Sequence, residues 1–95
     1  MYCAAIEVKL HLPQVHSLKE KRSVVRPILE GCRRRFQVAA SEVGQQDRWQ
    51  AAEMGFSAVG PSEGHVGEVL DAVERFIWSF PEVEVISCER SWWGS

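Results

Sequence analysis

Between Tyr2 and Leu12 apolar and polar positions alternate without a break. Tyr2, Ala4, Ile6, Val8, Leu10 and Leu12 fall on one side and Cys3, Ala5, Glu7, Lys9 and His11 on the other. A period of two with one apolar side predicts a strand buried on one face. Pro13 ends it, and the period then lengthens. Ser17 is placed to cap a helix, Glu20 follows three positions later, and Leu18, Val25, Ile28, Leu29, Cys32 and Phe36 form a stripe facing the first strand. Pro27 and Gly31 lie inside this segment. Proline removes the bond to the Ser23 carbonyl, at about 3 kcal/mol in an unadapted helix, which predicts a kink between Ser23 and Pro27. The stripe stays in phase across it, so the segment reads as one helix.

Two short strands are expected next, Phe36 to Val43 and Ala51 to Gly60, joined by GQQDRWQ, with Val38, Ala40, Met54, Phe56 and Ala58 facing inward. From Ser62 the pattern is helical again, with Val66, Val69, Leu70, Val73, Phe76, Ile77 and Phe80 as the buried stripe and Pro81 beyond it. A last strand runs from Val83 to about Ser91. The order is βαββαβ. Packed in two layers, it predicts an α+β, ferredoxin-like sandwich: one domain over residues 1–95, an antiparallel sheet in the order 4-1-3-2, and both helices on one face.

Charge changes the picture only regionally. The net charge is −2, so the whole chain is not a polycation. Yet His16 to Arg35 holds seven of the eleven Lys and Arg residues against Glu20 and Glu30, a local +5, while Pro61 to Ser95 is locally −5. Such a two-ended molecule could steer a polyanion to one face or meet a second copy head to tail; it could also be two helices with unlike solvated faces.

Cys3, Cys32 and Cys88 are odd in number and match no metal-ligand spacing, so buried reduced thiols are expected, and no metal or cofactor. MYCAAIEVKLHL lacks a basic leader, and no apolar run approaches the roughly 18 residues of a membrane span, which points to the cytoplasm. No Walker loop, GxGxxG or HExxH is present. His11, His16 and His65 lack a nucleophile and an orienting acid at a recognisable spacing, and Ser17 is explained as a cap. The expectation is a protein that is not an enzyme.

The predicted topology brings the start of helix one beside the loop between strands two and three. Residues His16, Ser17, Lys19, Lys21, Arg22 and Arg26 then face Glu42, Gln45, Gln46, Asp47, Arg48 and Trp49, and these twelve are the candidate binding residues. Lys19 and Lys21 stand in a first helical turn, where the macrodipole favours anions and disfavours cations. Three readings stay open: an anion site, internal pairs of Lys19 and Arg22 with Glu42 and Asp47, or no role. Arg33, Arg34 and Arg35 suit a helix C-terminus without further explanation.

On the far sheet face the outward positions are Ala5, Glu7, Lys9, Glu53, Gly55, Ser57 and Val59, which offer no aromatic platform for RNA bases. Any RNA contact should use helix one, and DNA is not expected. Cys3, Ala5, Ala39, Val43 and Val59 make that face partly apolar, as in sheets covered by another copy. Trp92 and Trp93, read as a tail beyond the last strand, either pack on the chain's own sheet, contact a second copy or belong to a disordered end.

HSLKEKRSVV, at His16 to Val25, followed by FQVAASEVGQQDRWQAAEMGFSAVG, at Phe36 to Gly60, resembles the YlxP-like family, small bacterial proteins of unknown function. The similarity is strongest in SLKEKR, in EVGxQDxWQ and in the HV…VLDxV pattern at His65 to Val73, and it extends over nearly the whole chain. The resemblance implies a ferredoxin-like fold, a cytoplasmic location and genes near those of translation factors, and no activity. Pro27, Gly31 and the ending SWWGS depart from the family pattern. The leading expectation is a binding protein for RNA or a ribosomal subunit that uses helix one; the alternatives are a homo-oligomeric interaction module and, more weakly, a phospho-ligand domain.

Overall fold

The computed structural model describes residues 1–94. Its elements are β1 (Tyr2–His11), α1 (Leu18–Phe36), β2 (Ala39–Gly44), β3 (Ala51–Gly60), α2 (Glu63–Trp78) and β4 (Glu84–Gly94). The strands form one antiparallel sheet in the order β2-β3-β1-β4. This is the expected βαββαβ sandwich.

The core follows from the alternation in β1. Ala4, Ile6, Val8 and Leu10 are buried, and across β3 they meet Ala58, Phe56, Met54 and Ala52, also buried. Val25, Ile28, Leu29 and Cys32 of α1 and Val66, Leu70, Val73 and Ile77 of α2 close the other side. Burial of apolar surface on this scale, at roughly 25 cal/mol per Å², is what drives the two layers together.

Both helices begin as their caps require. Ser17 Oγ accepts from Glu20 N at 3.1 Å, and the Glu20 carboxylate reaches back to accept from His16 N at 3.2 Å, a capping box shifted by one residue. Ser62 caps α2 by accepting from His65 N. α1 runs unbroken through Pro27, whose ring is on the exposed side, so the Ser23 carbonyl that loses its donor lies where water can solvate it. Gly31 is a packing residue: a Cβ there would lie 2.6 Å from Phe76 Cζ, so the two helices could not approach as closely with any side chain.

Two boundaries differ from expectation by three residues. β2 begins at Ala39 and not at Phe36, because α1 continues to Phe36 and Gln37 closes it in the left-handed region, φ 54° and ψ 42°. β4 continues to Gly94, so Trp92 and Trp93 are strand residues and not a tail, paired with Ala4 and Cys3. Alternation puts them on opposite faces: Trp92 lies on the helix side over Gly67, and Trp93 on the open face beside Cys3, whose other neighbour is Val59.

Candidate functional site

The loop between β2 and β3 is built around one buried lysine. Lys21 is 2% exposed, and its Nζ donates to the carbonyls of Gln45 at 2.6 Å and Arg48 at 2.9 Å. The Glu42 carboxylate is the third neighbour, with Oε2 2.9 Å from Nζ. That oxygen is buried outside hydrogen-bond alignment, so the contact is an ion pair and not a directed bond. Lys21 therefore serves as a clamp for the loop and is removed from the set of ligand-binding candidates. It also occupies the place expected for Lys19 or Arg22: neither of these pairs with Glu42 or Asp47.

A signal for the clamp is present in the helical period. Positions 18, 21, 25, 28 and 32 share one face, so Lys21 stands within the apolar stripe and must be buried if the stripe is. Burial of an ammonium obliges it to find acceptors, and the loop carbonyls supply them.

The rest of the loop is equally determined. Gly44 leaves room for the Glu53 side chain, and Gln45, in the left-handed region at φ 58°, donates from Nε2 to Glu53 Oε1 at 3.4 Å. Arg48 N closes a turn on Gln45 O at 3.1 Å. Gln50, outside the twelve candidates of the sequence, ties the loop to the end of β1: its Nε2 donates to Val15 O at 3.1 Å and Pro13 O at 3.4 Å, and its carbonyl accepts from Leu12 N. Its side chain shows no sequence signal, since only the fold sets those carbonyls beside it.

The basic run of α1 divides in two. At its C-terminal end the arginines have internal work: Arg33 donates to the Ala40 carbonyl, Arg34 lies 3.9 Å from Glu30, and the Arg35 guanidinium stacks 4.8 Å from the Phe76 ring centre. At its N-terminal end Lys19, Arg22 and Arg26 are exposed, and among the described residues no carboxylate pairs with them. Arg22, Arg26 and Arg33, with Glu30 among them, line a groove of about 370 Å³ against Ser41, Glu42 and Gln46 of the strand edge and loop. Of the other candidates, His16 and Ser17 belong to the cap, whereas Asp47, Arg48 and Trp49 project from the loop into a separate concavity.

The model of a family described as "Protein of unknown function (DUF503)" matches residues 3–90. The chain belongs to the DUF503 family. It is also 42% identical over 76 residues to the "Uncharacterized protein YlxP" of Bacillus subtilis (strain 168), covering 80% of this chain and 83% of that relative. The match spans the lysine clamp, the α1 cations and the loop. No helix among the described residues is long and apolar enough to cross a membrane.

Proposed function

We propose that this protein is a non-catalytic, cytoplasmic RNA-binding factor that takes the phosphate backbone of structured RNA, free or in a ribosomal subunit, on the exposed face of α1. The observation carrying this reading is that Lys21 takes up Glu42, the acid across from the helix start, while Glu20 is engaged in the cap, and that no carboxylate among the described residues pairs with Lys19, Arg22 or Arg26. Their spacing of three and four residues aligns them along one side of the helix over about 10 Å, long enough to meet more than one phosphate of a strand. The macrodipole disfavours a cation in the first turn, so helix stability does not account for Lys19 there.

Filter binding or anisotropy with structured RNA and with ribosomal subunits, titrated against salt, tests the reading. Affinity should fall steeply with salt, and Lys19→Glu with Arg22→Glu should weaken binding at low salt and reduce the salt slope by about one unit for each phosphate no longer neutralised. Absence of binding at low salt, or binding indifferent to the double substitution, overturns it.

A second reading, a homo-oligomer through the open sheet face, is favoured by the row Val59, Cys3 and Trp93 across three strands, with Val59 63% and Trp93 57% exposed. Light scattering distinguishes it: a dimer that Trp93→Ser dissociates supports it, and a strict monomer refutes it.

A further inference from the structure

The β2–β3 loop holds its backbone tightly and leaves two side chains without a hydrogen-bond or ion-pair partner among the described residues. Lys21 Nζ donates to the carbonyl of Arg48, whose own N–H donates to Gln45 O, and Gln50 is fixed on the other side by Leu12, Pro13 and Val15. Between these anchors Trp49 is 53% exposed, and the Arg48 guanidinium has no carboxylate partner among the described residues. A loop selected only for stability gains nothing from a large aromatic held in water on a rigid backbone.

Beside Trp49 lies a concavity of about 480 Å³ lined by His11, Asp47, Arg48, Trp49, Gln50 and Ala51. Its chemistry is mixed in a specific way. The indole offers a face for stacking, the guanidinium a fork for a phosphate, and the Asp47 carboxylate an acceptor for a base N–H. His11 forms one wall, its Nδ1 3.4 Å from the exposed carboxylate of Glu84 on β4. The concavity is shallow and open to solvent, so it suits a planar group lying on its surface and not an enclosed ligand.

The same loop borders both surfaces. Gln46 lines the arginine groove of α1, and Asp47, Arg48 and Trp49 line the concavity. We propose that the concavity takes one unpaired nucleotide, its base on Trp49 and its phosphate at Arg48, from an RNA whose paired backbone lies along Lys19, Arg22 and Arg26. This rests on the RNA-binding reading above and adds to it a class of target, a helix bearing a bulge or loop. The stacking face is then on the β2–β3 loop and not on the central strands β1 and β3, whose open-face positions carry no Phe, Tyr or Trp; Trp93 stands on that face at the end of the edge strand β4.

Anisotropy with two labelled probes tests this: a paired RNA of about twelve base pairs, and the same duplex with one unpaired adenine. The wild-type chain should prefer the bulged probe. Trp49→Ala should lower affinity for the bulged probe by about ten-fold, within the range of a single base–aromatic stack, and leave the paired probe within about two-fold. Trp49→Phe should restore most of the preference, and unfolding curves of both variants should match the wild type. Equal affinity of the wild type for the two probes overturns the inference. So does a Trp49→Ala variant that loses affinity for both alike, while sensitivity of both probes to Lys19→Glu with Arg22→Glu keeps the broader reading standing. No binding of either probe overturns both.

Discussion

Lys21 Nζ lies 2.9 Å from Glu42 Oε2 at a point where the lysine side chain is 3% exposed and the glutamate 24%. The pair is asymmetric in its partners. Lys21 also satisfies two loop carbonyls, while the buried oxygen of Glu42 has the ammonium as its neighbour. The lysine is therefore the member the loop depends on, and replacing it strands the Glu42 carboxylate and the Arg48 carbonyl together, while Gln45 O keeps the Arg48 N–H.

Lys21→Ala should cost about 3 kcal/mol in urea unfolding, the lower end of the penalty for breaking a buried pair, because Glu42 keeps some contact with water. Glu42→Gln should cost about 1 kcal/mol, since the bonds from Lys21 to the loop carbonyls remain. Hydrogen exchange at Arg48 should rise in the first variant and change little in the second.

Gly31 and Phe76 make a second coupled pair. Alanine is favoured over glycine by about 1 kcal/mol within a helix, yet a Cβ at position 31 would meet Phe76 Cζ at 2.6 Å and Cε2 at 2.8 Å. Phe76 cannot easily retreat, because Phe36 and Phe80 meet it edge-on at 5.8 and 5.1 Å. Gly31→Ala should therefore destabilise by about 1–2 kcal/mol, and in a Phe76→Leu background the same change should be neutral or stabilising, a double-mutant cycle readable by thermal unfolding.

Gln37 ends α1 in a left-handed conformation that costs a side-chain-bearing residue about 1–2 kcal/mol. Gln37→Gly removes that strain and adds some entropy to the unfolded chain. A net gain of about 0.5–1 kcal/mol is expected, seen as a higher denaturation midpoint with an unchanged slope.

Alkaline pH should destabilise the protein through its thiols. Burial pushes Cys32 up to about 12 against the opposing Arg35, and burial, then the charge and hydrogen bond of Glu74, push Cys88 up to about 11 against Arg90. Both exceed the ordinary thiol value of 9.0, so the unfolded chain releases these protons first. The stability they contribute is complete below about pH 9 and is lost as pH rises towards their folded values. Unfolding free energy measured from about pH 8 to 10.5 should fall, and the fall should be shallower in Cys32→Ala.

The fold was legible because it rests on local periods. Alternation in Tyr2 to Leu12 and the stripes at Val25 to Cys32 and Val66 to Ile77 each bury one face, and two layers are the economical way to satisfy them. The caps at Ser17 and Ser62 are equally local, set by hydrogen bonds spanning three residues. The end of β4 was not legible, since Trp92 and Trp93 extend as strand only because Ala4 and Cys3 offer them a ladder.

The site divides in the same way. By itself the sequence determined that basic residues crowd α1 and that the loop at residues 42–49 comes to lie beside them, because composition and connection order are properties of the chain. Only the tertiary structure decided which cation does what. Lys21 points inward with the apolar stripe and meets Gln45, Arg48 and Glu42 across 24, 27 and 21 positions, contacts that no local rule specifies. Lys19, Arg22 and Arg26, on the outer side of the same turns, are left to water and to whatever anion approaches. A helix has an inside only once something packs against it.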